Sequence, residues 1–347
     1  MINKKFLQIL IIVFIIFFMI GGIFLFAFKN NDSQVQKIYN SWKNTYVLNL
    51  GGGMCRVINP QDNNVTVSEG IGYGLLFSVA MKDKETFDNL HNYMKLYLNS
   101  NGLMSWKVDS NGNIIGKGSA TDADEDMAYA FLLAYSTWKD VTYLDEGKRI
   151  IQLIAKHEIN SEYLVLPGDS WGDNYNLNPS YIAPMYYNKF AEVSDKNYWN
   201  KVLERNNKFL SSIMNKNTGL FPDWVNYKGT TNDNDVYGYD AVRVPIRLLQ
   251  FYNKTKDKEA LIILQREYNF ISGIGANKLV AGYSLSGVPL VDYINSAYLS
   301  SFSAICFVDN HTNLSKSVLQ KLILTQSNDY YGSSLKLWTM LILNGKI

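Results

Sequence analysis

From residue 33 to the C-terminus, apolar residues recur at helical spacing in one segment after another, with breaks rich in Gly, Asn, Asp or Pro. The spacing predicts helices over 33–48, 68–82, 84–99, 122–138, 142–159, 178–193, 195–215, 239–254, 256–273, 290–308, 312–326 and 330–344. Twelve helices in sequential pairs suit a closed toroid of hairpins or an open α-solenoid. A solenoid carries a detectable repeat, and none is visible, which favours the ring. Short strands are expected at 103–108, 114–117 and 279–284. Long connections at 49–67, 100–121, 160–177, 216–238 and 274–289 recur after every second helix. In a closed ring they share one end, where loops over a rigid scaffold carry sites.

The N-terminus constrains location. Lys4 and Lys5 precede an uncharged run of 23 residues, Phe6 to Phe28, closed by Lys29. That run is long enough to span a bilayer as a helix, and its end, Phe24-Leu25-Phe26-Ala27-Phe28, is a poor cleavage site. The expectation is a cytoplasmic stub and transmembrane signal anchor at 1–29, a linker and domain entry at 30–40, and a domain at 41–347. The lysine pair places that domain outside the cell, in the membrane-anchored form or secreted if the segment is cleaved. A net charge of +2 gives no argument for nucleic acid. Cys55 and Cys306 are able to pair outside the cytoplasm. They have no metal-ligand spacing with the three histidines, so neither metal nor cofactor is expected.

Three acidic stretches carry the chemistry. In Ser68-Glu69-Gly70-Ile71-Gly72-Tyr73-Gly74, a carboxylate follows a capping serine, and glycines occupy alternate positions at a cost of roughly 0.5–1 kcal/mol each. The stretch reads as a tightly packed helix start, or as a place where something approaches the backbone with Glu69 facing it. Four acids crowd Asp122-Ala123-Asp124-Glu125-Asp126, more than capping needs, with Asp122 nearest the helix tip and Thr121 or Asp122 as its cap. In Tyr237-Gly238-Tyr239-Asp240-Ala241-Val242-Arg243, Asp240 and Arg243 are spaced to pair. Trp106 and Trp171 lie in polar loops, among 24 Tyr, 7 Trp and 17 Phe. Flat aromatic faces with polar edges suit sugar rings. Carboxylates at helix starts with aromatics between them are what glycoside hydrolysis requires.

Ser-Glu-Gly-x-Gly-Tyr-Gly-Leu-Leu at 68–76 resembles the signature of glycoside hydrolase family 8. So do Ala-Thr-Asp-Ala-Asp-Glu-Asp at 120–126, Pro-Gly-Asp-Ser-Trp-Gly at 167–172 and Asn-Pro-Ser-Tyr at 178–181. Gly-Leu-Phe-Pro-Asp-Trp at 219–224 and Tyr-Asp-Ala-x-Arg-x-Pro at 239–245 complete six motifs in order. The resemblance implies an all-α (α/α)6 barrel and an inverting endo-acting glycosidase for β-1,4-linked glycans: cellulase, chitosanase, lichenase or xylanase. By motif position, Glu69 resembles the general acid, Asp240 the general base and Asp122 the carboxylate that holds the distorted central sugar. Trp106 and Trp171 resemble stacking platforms, and Tyr239 and Arg243 resemble residues that orient the base and its water. Tyr73 and Tyr181 fall within the motifs as substrate contacts, and Tyr330 and Tyr331 resemble further platforms. One subfamily takes its base from an inserted glutamate, but none occurs between Glu204 and Glu259; Asp233 and Asp235 are the fallback bases.

Several expectations follow. A helix start lowers a carboxyl pKa, yet a general acid must keep its proton, so burial against Tyr73 and a like charge from Asp122 should raise Glu69. Asp122 should lie within a few Å of Glu69. Inversion sets the Glu69 and Asp240 carboxyls ~6.5–9.5 Å apart. The glycines are expected to clear room for a sugar chain over the helix tip. The whole reads as a monomer that cuts a polysaccharide, such as an exopolysaccharide at the producer's own surface. The alternative from another class is a polysaccharide-binding or assembly protein with a vestigial barrel.

Overall fold

The computed structural model describes residues 32–170, 176–231, 236–309 and 311–347. The anchor expected at 1–29 lies outside them, and among the described residues no helix is long and apolar enough to cross a membrane. The described residues form twelve α-helices: α1 (32–46), α2 (Ser68–Ala80), α3 (Lys84–Leu96), α4 (Thr121–Trp138), α5 (Val141–His157) and α6 (Pro184–Val193). Then come α7 (Lys196–Ile213), α8 (Arg243–Thr255), α9 (Lys258–Ile274), α10 (Ser296–Cys306), α11 (Asn313–Leu324) and α12 (Tyr330–Leu343).

Each even-numbered helix packs on the next, α2 on α4, α4 on α6 and so on, and α12 packs back on α2 to close the ring. The odd-numbered helices from α3 to α11 lie outside, each paired with the even helix before it. This closed double ring matches the expected barrel. Burial follows position: every residue of α10 is buried, as is nearly all of α2. Outer α5 instead buries one stripe, Tyr143, Gly147, Ile150, Ile151 and Ile154, at helical spacing. Residues 32–40, read from the sequence as linker and domain entry, form the first half of α1, with Val35 and Tyr39 already buried. Trp42 of α1 packs edge-on against Phe77 of α2 and donates to Ser334 Oγ of α12.

The helix starts differ between the rings in part. Outer α3, α5, α7, α9 and α11 are capped by Asp83, Asp140, Asp195, Asp257 and Thr312. Inner α2, α4, α6 and α8 have no side-chain cap, whereas inner α10 and α12 are capped by Asn295 and Asp329. Ser68 and Thr121 are therefore not caps, as the sequence suggested: both are already helical, and their backbone N–H groups are taken by Trp106 and Pro167 carbonyls.

Three inner helices start later than periodicity predicts. Before α6, Asn178 caps a single 3-10 turn, and the chain then extends through Ala183 because Pro184 disfavours helix at the residue before it. α10 waits for the Asn295 cap, whose side chain accepts the Tyr298 N–H. α8 starts at Arg243, after a turn held by Asp223.

Short strands brace the mouth of the ring: the hairpin β1 (Val47–Gly51) and β2 (Met54–Val57), the sheet β3 (Thr66–Val67), β4 (Lys107–Val108) and β5 (Ile114–Gly116), and the pair β6 (Val236–Tyr237) and β7 (Tyr283–Ser284). Only β4, β5 and β7 fall in segments read as strands. Cys55 and Cys306 are buried and free, so the possible disulfide does not form; the thiols sit in β2 and at the end of α10.

Candidate active site

The starts of α2, α4, α8 and α12 and the turn before α6 surround a cleft of about 490 Å³. Glu69 comes from α2, Asp122 from α4, Tyr181 from the turn before α6, Asp240 and Arg243 from the start of α8, and Tyr330 and Tyr331 from α12. Arg243, almost fully buried, joins all three carboxylates. Its Nη1 donates to Glu69 Oε2 at 2.8 Å and to Asp122 Oδ2 at 2.6 Å, and its Nη2 donates to Asp240 Oδ1 at 2.8 Å. Two acids on one nitrogen bear out the expected closeness of Asp122 and Glu69. Asp122 is fixed further by the Ala123 N–H on its Oδ1. The Tyr181 ring lies against the guanidinium, 5.3 Å from its carbon.

The surroundings of the three acids differ. The Asp122 side chain is 4% exposed, Glu69 18% and Asp240 34%, which orders them from the floor of the cleft to its wall. Burial pushes Glu69 up to about 7. Arg243 opposes this, Asp122 and Asp126 add to it, and the Tyr330 hydroxyl, which donates to Oε1 at 3.2 Å, lowers it. Desolvation outweighs both the guanidinium and the helix start. A carboxyl set near neutrality is what a general acid needs. Arg247, one turn behind Arg243, is held between Tyr186 and Trp338 and binds Asp126 at 3.0 Å. It balances Asp126, one of four buried acids in α4.

Trp106 lines the opposite wall. Gly116 lies flat against its indole, where a Cβ would come within 2.5 Å of Cε2, and Lys107 Nζ sits 5.6 Å from the ring. The glycine and the lysine hold the ring in place. Trp171, the other expected platform, lies outside the described residues, as do Asp233 and Asp235. The loop leading to Trp171 is tied to the mouth by Asp169, which accepts from Ser119 N–H and from the Asn99 and Asn101 side chains.

Both expected causes of the rise at Glu69 are present, burial first and the charge of Asp122 after it. Three other expectations change here. Tyr73 is not a substrate contact: it is 1% exposed, stacked on Phe77 and tilted against Trp338 inside the ring. Tyr330 is not a platform but the hydroxyl partner of Glu69, itself 4% exposed. Finally, the glycines of α2 do not clear room for a sugar. A Cβ at Gly70 would meet Val57 and the Tyr330 hydroxyl, at Gly72 Asp126 Cβ at 3.0 Å and the Ala123 carbonyl, and at Gly74 Leu90 at 2.7 Å. They let α2 lie close on α4, α3 and β2, which sets Glu69 beside Asp122.

Tyr239 is 46% exposed at the rim, with its hydroxyl accepting from Asn295 and its carbonyl from the Tyr331 hydroxyl. Trp224 and Asn59 were not singled out from the sequence as site residues. Trp224 Nε1 donates to Asp240 Oδ2 at 2.9 Å, and Asn59 lines the cleft. The Phe-Pro-Asp-Trp motif carried a signal for Trp224; nothing in the sequence marked Asn59.

Residues 19–345 match the glycosyl hydrolases family 8. The chain belongs to that family. As a family 8 glycoside hydrolase it is 33% identical over 329 residues to Endoglucanase C of Ruminiclostridium cellulolyticum, covering 90% of this chain and 71% of that one. It is 32% identical to Endoglucanase A of Acetivibrio thermocellus, covering 92% and 71%. Among solved structures it resembles the apo β-1,3-1,4-glucanase of Paenibacillus sp. X4, with a TM-score of 0.86 and 29% identity over 92% of this chain and 93% of that one.

Proposed function

We propose that this family 8 enzyme is an inverting endo-β-1,4-glycosidase acting on glucan or a related extracellular polysaccharide. One observation carries the reading: a single buried guanidinium holds Glu69 and Asp122 on one nitrogen and Asp240 on another. Protonated Glu69 gives its proton to the glycosidic oxygen as the bond to C1 breaks. Asp240, the most exposed of the three, takes a proton from the water that attacks C1 from the opposite face. The proton gained by Asp240 and the one lost by Glu69 balance, and no covalent intermediate forms. Asp122, on the floor, accepts hydrogen bonds from the hydroxyls of the sugar between them. Trp106 and Tyr181 provide the aromatic faces on which the chain lies.

Two features support glucan over chitosan. The relatives are named endoglucanases and a β-1,3-1,4-glucanase. Among the described residues the other acids of the motifs do not line the cleft: Asp124 is buried, Asp169 is engaged in the loop, and Asp223 braces the turn before α8, while Asp173 lies outside the described residues. The apolar run from Phe6 to Phe28 supports a membrane-anchored enzyme with its cleft outside the cell, trimming a polymer at the surface of its producer.

The test is reducing-end release from a panel of glucan, xylan, chitosan and exopolysaccharide, with wild type beside Glu69→Gln and Asp240→Asn. Release from glucan by the wild type, with a loss of about 10²-fold or more in each variant, is expected. Equal release by all three proteins would sink the mechanism. Binding without release by any of them would make the barrel a polysaccharide-binding module.

A further inference from the structure

The turn that carries Asp240 is held from outside its own helix. Asp223 Oδ1 accepts the N–H of Gly238 at 3.0 Å and of Ala241 at 2.8 Å, the residues that flank Tyr239 and Asp240. The next residue, Trp224, gives its indole N–H to Asp240 Oδ2 at 2.9 Å, while Arg243 holds Oδ1 from the other side. The strap bearing these two residues is itself fixed. Val225 pairs with Leu177 in both directions, and the Asp223 N–H donates to the Val236 carbonyl at 3.2 Å. A Cβ at Gly238 would overlap Asp223 Oδ2, so the approach of strap and turn requires glycine there.

We propose that Asp223 and Trp224 are positioning residues for the general base, Asp223 setting the turn and Trp224 the rotation of the Asp240 carboxylate. This rests on the assignment of Asp240 as base. With one donor on each oxygen from opposite sides, the carboxylate plane is locked, and a remaining lone pair faces the attacking water. A base free to rotate loses that alignment for most of its time, which lowers turnover without weakening the hold on substrate. Asp223 also gives the arrangement a dependence on pH. Burial, with the charge of Asp240, pushes Asp223 up to about 6. The groups that face it are Asp240 and Arg243 at the start of α8, Tyr237 of β6, Tyr298 of α10 and Tyr331 of α12. When Asp223 takes a proton its acceptance of the two N–H groups weakens, and the turn loosens as pH falls through about 6.

The experiment is a double-mutant cycle on the full chain with Trp224→Phe, Asp240→Ala and the double variant, each checked for wild-type circular dichroism. Hydrolysis and a second reaction with azide are both followed. Azide attacks C1 as the bond to the leaving oxygen breaks and Glu69 protonates that oxygen, so no base is required. Trp224→Phe is expected to lower kcat for hydrolysis about tenfold or more with KM nearly unchanged. It should cost nothing further in the azide reaction of Asp240→Ala. Trp224→His, if it restores a ring N–H to Asp240, should recover part of the loss; Asp223→Asn should remove the step near pH 6 from the acid limb of kcat. An equal loss for Trp224→Phe with azide in the Asp240→Ala background, or an unchanged acid limb in Asp223→Asn, would overturn the positioning role alone. Full hydrolysis by Asp240→Ala would instead overturn the base assignment.

Discussion

Glu69→Gln is expected to change how stability depends on pH, by an amount the site itself sets. In the folded protein Glu69 titrates at about 7 against an ordinary value of 4.5, because burial penalises the charged form. A carboxyl raised in this way binds its proton more tightly folded than unfolded. The contribution of Glu69 to stability is therefore greatest below pH 4.5 and declines as pH rises towards 7, where the folded carboxyl also ionises. The difference corresponds to about 3 kcal/mol. Glutamine keeps the shape and cannot ionise, so the variant lacks that decline. Urea unfolding of both proteins should give stabilities that differ little below pH 4.5. The variant should then become more stable by up to about 3 kcal/mol above pH 7, while hydrolysing almost nothing. A constant difference between the two proteins across that window would refute the placement of a destabilised acid at Glu69.

Removing the shared cation should be worse than removing any one acid. Arg243→Ala leaves the nearly buried Asp122 and Glu69 carboxylates without their cation and is expected to cost about 3–5 kcal/mol in urea unfolding, with activity lost. Gly72→Ala, far from substrate, should cost about 1–3 kcal/mol and lower kcat, since Asp126 Cβ and the Ala123 carbonyl leave its methyl no space. Thermal melting beside kcat would check it, and an unperturbed protein would show that the helices yield. Trp106→Ala should raise KM for glucan oligosaccharides by roughly threefold to tenfold, as expected for one lost stacking face at about 0.5–1.5 kcal/mol, with kcat less affected.

Much of this was legible because the two rings write different patterns. Outer helices show a one-sided apolar stripe, and four of them begin at an aspartate cap, which marks their limits to within a few residues. The acids were legible because carboxylates at several helix starts exceed what capping explains. What stayed hidden were distinctions that depend on three-dimensional neighbours. An aromatic inside the ring and one lining its mouth look alike along the chain, so Tyr73 reads as a sugar contact, and Tyr330, which lines the cleft with its hydroxyl on Glu69, reads as a platform. Alternate glycines signal close approach but do not name the approaching groups, which are α4, α3 and β2 and not a sugar. The grip of Trp224 on Asp240 spans 16 positions and two loops, with no periodicity to reveal it.

The central claim is single-step hydrolysis by Glu69 and Asp240 across one sugar, and the anomeric form of the newborn reducing end tests it most directly. Proton NMR of a cello-oligosaccharide, read within the first minutes of cleavage, should show the α-anomer accumulating before mutarotation mixes it with the β-anomer. If the β-anomer appears first, the linkage has been cleaved with retention, and Asp240 is not the base of a direct displacement.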